Sequence, residues 1–232
     1  MVKRLLTGLA LLASLALIAG SVSHRLPLDL IEVLGFLTGA LAVWLTVRQE
    51  IVNWPVGIAN SAFYLIVFLH ARLFADMSLQ AIYIGLGFLG WYWWLRGDAG
   101  RSVLRVSRTG LMTSLTLTAI LVTGTAGLTV FLERVRDAAP FWDALTTVMS
   151  LIAQFMLTRK LLENWLVWIA ADLIYIALYL SRGLVLTAVL YAIFLTMCVV
   201  GLVQWRSSLR AMRAVETSTW REQTAVVEPV HV

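Results

Sequence analysis

The chain has 232 residues, 60% of them hydrophobic and 13% charged, with a mean hydropathy of +0.86. A water-soluble domain carries about 45 to 50% apolar residues, so this composition points to a membrane protein. The net charge of +5 would suit nucleic acid only if the basic residues clustered on one exposed surface; they punctuate the apolar runs instead, while one cysteine (Cys198) excludes a disulfide framework and the scattered His24, His70 and His231 leave no zinc site, so neither metal nor cofactor is expected.

A bilayer core about 30 Å thick needs roughly 20 mostly apolar residues per helix. Eight such runs follow one another, at residues 5–22, 28–47, 51–70, 77–95, 110–132, 141–158, 165–181 and 184–205. The first, within residues 1–25, follows Lys3 and Arg4 in the layout of a signal peptide, with small residues near Ala19 to Ser21. A retained helix is the favoured reading, because the cleavage site is imperfect and another span follows at once. The expected fold is all-α, with eight transmembrane helices: an N-terminal helix, three helices over 28–95, a helix at 110–132, three more over 141–205, and a tail at 206–232. The tail and the basic loop from Arg96 to Arg108 are too short to build a core, and the end from Trp220 onward reads as a disordered terminus.

Loops on the cytoplasmic side carry the excess of Lys and Arg. With the N-terminus inside and eight alternating spans, Lys3, Arg4, Arg48, Arg96, Arg101, Arg105, Arg108, Arg159, Lys160, Arg206, Arg210, Arg213 and Arg221 share one side. Arg25, Arg72, Arg134, Arg136 and Arg182 share the other, so both termini are expected in the cytoplasm.

Sliding the chain along itself by 111 residues lays NWPVGIA (Asn53 to Ala59) on NWLVWIA (Asn164 to Ala170), Arg48 on Arg159, Tyr64 on Tyr175, Gly90 on Gly201 and Trp94 on Trp205. Chance overlap of apolar runs would match Leu and Val, but not Trp, Asn, Arg and Gly in one register. Each repeat holds three spans, and the helix at 110–132 is left over as a connector. An odd number of spans inverts the chain and the connector restores its direction, so the repeats are parallel. Repeats related by an axis along the membrane normal are a standard transporter construction, with the substrate path near mid-depth.

Asp172 lies 12 residues after Lys160 and 10 before Arg182, which puts it roughly 15 to 18 Å from either flank and near the middle of its span. A carboxylate there costs about 2.5 to 3.5 kcal/mol on insertion scales and marks a substrate or ion path; the bland alternative is a protonated or hydrogen-bonded group that only fixes packing. Trp165, Trp168, Asp172, Tyr175 and Tyr179 follow steps of three and four along one helix face. Trp54, Gly57, Ser61, Tyr64 and Phe68 form the equivalent stripe, with Asn60 beside it at the depth of Asp172. The two stripes are expected to oppose each other, with Gln80, Tyr83 and Tyr191 completing a pocket. Aromatic rings around a carboxylate suit a flat, polar or cationic organic solute. Trp54 and Trp165 also lie near span ends, where interfacial belts collect indoles, while Gly35, Gly39, Gly85, Gly87 and Gly90 read as points of close helix approach. Walker, zinc-protease and nucleophile-elbow motifs are absent, so ATP-driven pumping by this chain alone is not expected and the chain reads as a non-enzyme. An intramembrane enzyme pairing Asp172 with Asp143 is a remote alternative, because Asp143 falls two turns or more from mid-depth.

With PFWD (Pro140 to Asp143), LTRKLLENWLVW (Leu157 to Trp168), Tyr175, Gly183, Tyr191 and Gly201 assembled, the chain resembles the PnuC family of nicotinamide riboside transporters, bacterial relatives of the SWEET transporters with three helices, a connector and three more. The similarity covers about residues 30 to 206. It implies facilitated-diffusion uptake of a vitamin precursor across a bacterial inner membrane, with phosphorylation by a cytoplasmic kinase trapping the product; a homo-oligomeric assembly is expected. Carried over by position, Asn164, Trp165, Trp168 and the residue four beyond it would line the path. Members of the family can have Asn at that last position, whereas this chain has Asp172, which keeps thiamine or another vitamin open beside nicotinamide riboside. A proton relay through Asp172 is the alternative to passive flux.

Overall fold

The computed structural model describes residues 30–70, 72, 74–97 and 104–227. The expected N-terminal helix lies outside them. The described residues are helical without a strand, in seven helices: α1 (Leu30–Val47), α2 (Asn53–His70), α3 (Phe74–Arg96), α4 (Leu111–Arg134), α5 (Pro140–Thr158), α6 (Asn164–Ser181) and α7 (Val185–Val227). Among them α4, α5, α6 and residues 187–215 of α7 are long and apolar enough to cross a bilayer. They divide into two compact units, one ending at Phe88 and one beginning at Leu89 within α3.

The 111-residue offset recurs in the backbone. α1 and α5 end at Val47 and Thr158, α2 and α6 run Asn53–His70 and Asn164–Ser181, and α3 and α7 begin at Phe74 and Val185. After α1 the chain turns through Gln49 at φ 58°, and after α5 through Lys160 at φ 51°. In both turns an N–H reaches back three residues, Gln49 to the Thr46 carbonyl and Lys160 to that of Leu157. The side-chain amides of Asn53 and Asn164 then donate to the carbonyls of Glu50 and Leu161, tying each helix start to the turn before it. The next turn also repeats, with Arg72 at φ 58° and Gly183 at φ 74°. The Asn-Trp motif is thus a helix-start device used twice.

In the first unit α2 packs on α1 through polar contacts. The Asn60 amide donates to the Gly35 carbonyl at 3.1 Å and to Thr38 Oγ1 at 2.6 Å. The Tyr64 ring lies over Gly35, where any Cβ would collide with it. A Cβ on Gly87 would likewise press on Ile58 at 2.7 Å, but one on Gly85 meets nothing within 4 Å. Gly35 and Gly87 therefore permit close approach, and the same expectation for Gly85 is corrected.

In the second unit α4 lies against α5, with Leu117, Leu121 and Leu128 on Val148, Ile152 and Met156. The rest of α4 is bare apolar surface, and only 6% of its span is buried, the pattern of a helix solvated by lipid chains. Four of its hydroxyls bond within the helix, Thr116, Thr118, Thr123 and Thr129 each donating to the carbonyl four residues back. These four need no partner from the hydrocarbon.

α7 runs past the expected end of its span to Val227. The expected disordered end from Trp220 is corrected over these residues, for a physical reason: no Gly or Pro occurs between Gly201 and Pro229, and helix formers with spaced charges fill the interval.

Candidate functional site

α6 and α7 are antiparallel neighbours joined by a short turn, and their facing stripes meet. On α6 the stripe is Trp165, Asp172, Tyr175 and Tyr179; on α7, read in reverse, it is Trp205, Gly201, Cys198, Phe194 and Tyr191, again at steps of three and four. At the helix-start end Trp165 stands edge-on to Trp205, with ring centroids 5.4 Å apart, and Trp205 meets Trp94 at 6.2 Å. This close packing requires Gly201, because a Cβ there would sit 2.6 Å from the Trp165 ring. Trp54 and Trp165 are each 2% exposed. Both are interior residues, and the interfacial-belt reading is corrected.

One turn or more deeper, Asp172 is buried at 5% exposure, and the Cys198 thiol donates to its Oδ2 at 3.5 Å. Beyond it three tyrosine rings gather: Tyr175 on Tyr191 at 4.7 Å, Tyr179 on Tyr191 at 5.2 Å, and Tyr175 stacked on Tyr179 at 6.0 Å. Phe194 abuts Tyr191 edge-on at 6.1 Å. The seam thus sets one carboxylate between an indole cluster and a phenol cluster. Such a surface binds a flat ring by stacking and a positive charge by the carboxylate and the ring faces.

Of the residues singled out from sequence, the structure brings Asp172, Tyr175 and Tyr191 into this seam. Trp165 lies at its indole end, beside Asn164, whose amide donates to the Leu161 carbonyl of the turn before α6. Asn164 Oδ1 and Trp165 Nε1 are buried without a partner among the described residues, unusual for interior polar atoms. Trp168 is half-buried on α6. Asn60 and Tyr64 meet on the α1–α2 contact of the first unit, and Gln80 is half-buried on α3. Within the second unit the α6 stripe meets α7, Trp165 on Trp205, Asp172 on Cys198, and Tyr175 and Tyr179 on Tyr191. Cys198 and Phe194 were missed, although the spacing of Tyr191, Phe194, Cys198, Gly201 and Trp205 carries the signal.

The model of the family described as Nicotinamide mononucleotide transporter matches residues 29–207. The nicotinamide riboside transporter PnuC of Escherichia coli (strain K12) is 28% identical over 209 residues, spanning 79% of this chain and 87% of that protein. The riboflavin/roseoflavin transporter RibM of Streptomyces davaonensis is 22% identical over 178 residues, spanning 75% of this chain and 83% of its own. The crystal structure of the vitamin B3 transporter PnuC matches with a TM-score of 0.66 at 24% identity, over 88% of this chain and 92% of that one. The last likeness gives the fold.

Proposed function

This chain belongs to the nicotinamide mononucleotide transporter family, and on that premise we propose that it carries nicotinamide riboside across a bacterial inner membrane by facilitated diffusion. The reading has two parallel three-helix repeats, α1–α3 and α5–α7, joined by α4 as connector and preceded by one further helix, with both termini in the cytoplasm. The helix ends and left-handed turns that recur at the 111-residue offset support it. The repeats rock about a central site and expose it to each side in turn. Net uptake follows when the solute is consumed inside, for which a cytoplasmic kinase suffices, and the carrier works as a homo-oligomer.

One observation carries the choice of solute: a buried carboxylate, Asp172, in an aromatic seam of two membrane-length helices. Nicotinamide riboside has a flat pyridinium ring with a fixed positive charge. Tyr175, Tyr191 and Trp168 stack on the ring and Asp172 offsets its charge, while Asn164 and Trp165 at one end hydrogen-bond the ribose or amide. The RibM relative favours riboflavin as a second reading, and thiamine is a third; riboflavin is uncharged and gains no charge pairing from the carboxylate.

A melting-temperature panel on the purified chain separates these. A bound solute stabilises by about 2.7 kcal/mol at one hundred times its Kd, so nicotinamide riboside is expected to raise the melting temperature, with thiamine and riboflavin weaker at equal concentration. A shift from riboflavin alone would transfer the assignment to it.

A further inference from the structure

Outside the aromatic seam, the second unit holds a cleft of about 310 Å³ at the ends of α3 and α5 and beside Leu209, Met212 and Arg213 of α7. Four arginines line it: Arg105 and Arg108 from the α3–α4 loop, Arg159 from the α5–α6 turn, and Arg213 from α7. They come from three separate stretches of chain, and no carboxylate stands among the described residues that line the cleft. All four are exposed, so their charged ends reach water and any solute in it.

The walls are fixed. Ser107 bridges to the α5–α6 turn, its N–H donating to the Lys160 carbonyl and its own carbonyl accepting from Leu162 N–H at 2.8 Å. Glu163 accepts from both the N–H and the hydroxyl of Thr109 at 2.8 Å. Lys160 is buried, donates to the Leu104 carbonyl at 3.0 Å and sits 4.1 Å over the Trp94 ring. The Arg159 guanidinium lies 4.5 Å over the Trp93 ring, which fixes its plane and leaves its edge for a ligand. Basic residues scattered along a cytoplasmic rim need no such clasp. The guanidiniums of Arg108, Arg159 and Arg213 on one cleft repel one another, and the arrangement is relieved by an anion whose oxygens accept paired N–H bonds.

We propose that this cleft binds a phosphate-bearing anion, the phosphate bridging the α3–α4 loop and Arg159 to Arg213. The proposal is independent of which vitamin the seam takes. A free phosphoester and a lipid headgroup offer the same chemistry, so the experiment has two arms. In the first, pyrophosphate is titrated calorimetrically into the full chain in an uncharged detergent at low salt. In the second, native mass spectrometry counts phosphatidylglycerol retained on the chain.

Both arms compare wild type with Arg108→Gln/Arg213→Gln and with a control outside the cleft, Arg206→Gln/Arg210→Gln, which removes the same charge from an exposed stretch of α7. The cleft pair is expected to weaken one of the two ligands by about tenfold or more, the loss of a charge-assisted pair, and the control to leave it unchanged. Loss in the first arm identifies a free phosphoester, and loss in the second a lipid headgroup. Equal loss in both double variants, or binding of neither ligand by wild type, overturns the proposal.

Discussion

Asp172 is the residue on which selectivity turns. Its carboxylate has one thiol donor and aromatic neighbours, so a cationic solute gains more there than a neutral one of the same shape. Asp172→Asn keeps size and hydrogen bonding and removes the charge. It is expected to weaken nicotinamide riboside by about tenfold or more, the scale of a charge-assisted bond, while a neutral reduced analogue is affected little; calorimetry on both ligands reads the difference, and equal loss would reject the role. Gly201 is the second sensitive point, because Trp165 occupies the space of its missing Cβ. Gly201→Ala should cost about 1 to 3 kcal/mol, seen as a lower melting temperature, whereas Gly127→Ala, where a Cβ meets nothing within 4 Å, should not. Outside the spans, burial pulls the Lys160 ammonium down from its ordinary 10.5 to about 8. Between those two values the unfolded chain holds a proton the folded chain has lost, so stability rises with pH across that window. The melting temperature of wild type relative to Lys160→Met should therefore climb from pH 8 toward 10.5, and a flat difference would contradict it.

The helices were the most legible elements, because their ends are written in short-range chemistry. The Asn-Trp pair marks the start of α2 and of α6, and the structure gives the reason in the Asn53 and Asn164 amides, which tie each helix start to the turn before it. Asp172 was legible as a charge far from either flank. Its partner was not, since a lone cysteine among apolar residues carries no signal until α7 is read as a stripe facing α6. Trp54 and Trp165 misled because position along the chain does not say whether an indole faces lipid or protein. The helical tail was missed because a terminal segment was read as disordered, although nothing in residues 206–227 breaks a helix. The repeated turn after α2 and α6 offers a test internal to the chain: Arg72 holds a left-handed conformation that Gly183 holds without strain. Arg72→Gly should be neutral or stabilising, and Gly183→Ala should cost about 1 kcal/mol, both by thermal unfolding. On α4, Val122 is 64% exposed, and Val122→Arg should lower the membrane-inserted fraction, at about 2.5 to 3.5 kcal/mol for a charge at mid-span. Normal insertion would take α4 out of the lipid.

For the whole molecule, two like-directed repeats make a claim about sides. In a Cys198→Ser background, Arg48→Cys and Arg159→Cys should be labelled from the cytoplasm, and Arg72→Cys and Arg182→Cys from outside. Reactivity of Arg48→Cys and Arg159→Cys from opposite sides would end the parallel reading. The central claim is passive carriage of a cationic vitamin, and counterflow tests it most directly. Liposomes holding the purified chain and loaded with unlabelled nicotinamide riboside should draw in labelled nicotinamide riboside transiently, with no change when a proton gradient is imposed and with marked loss in Asp172→Asn. Steady accumulation above the external concentration only under a proton gradient, or no exchange at all, would contradict it.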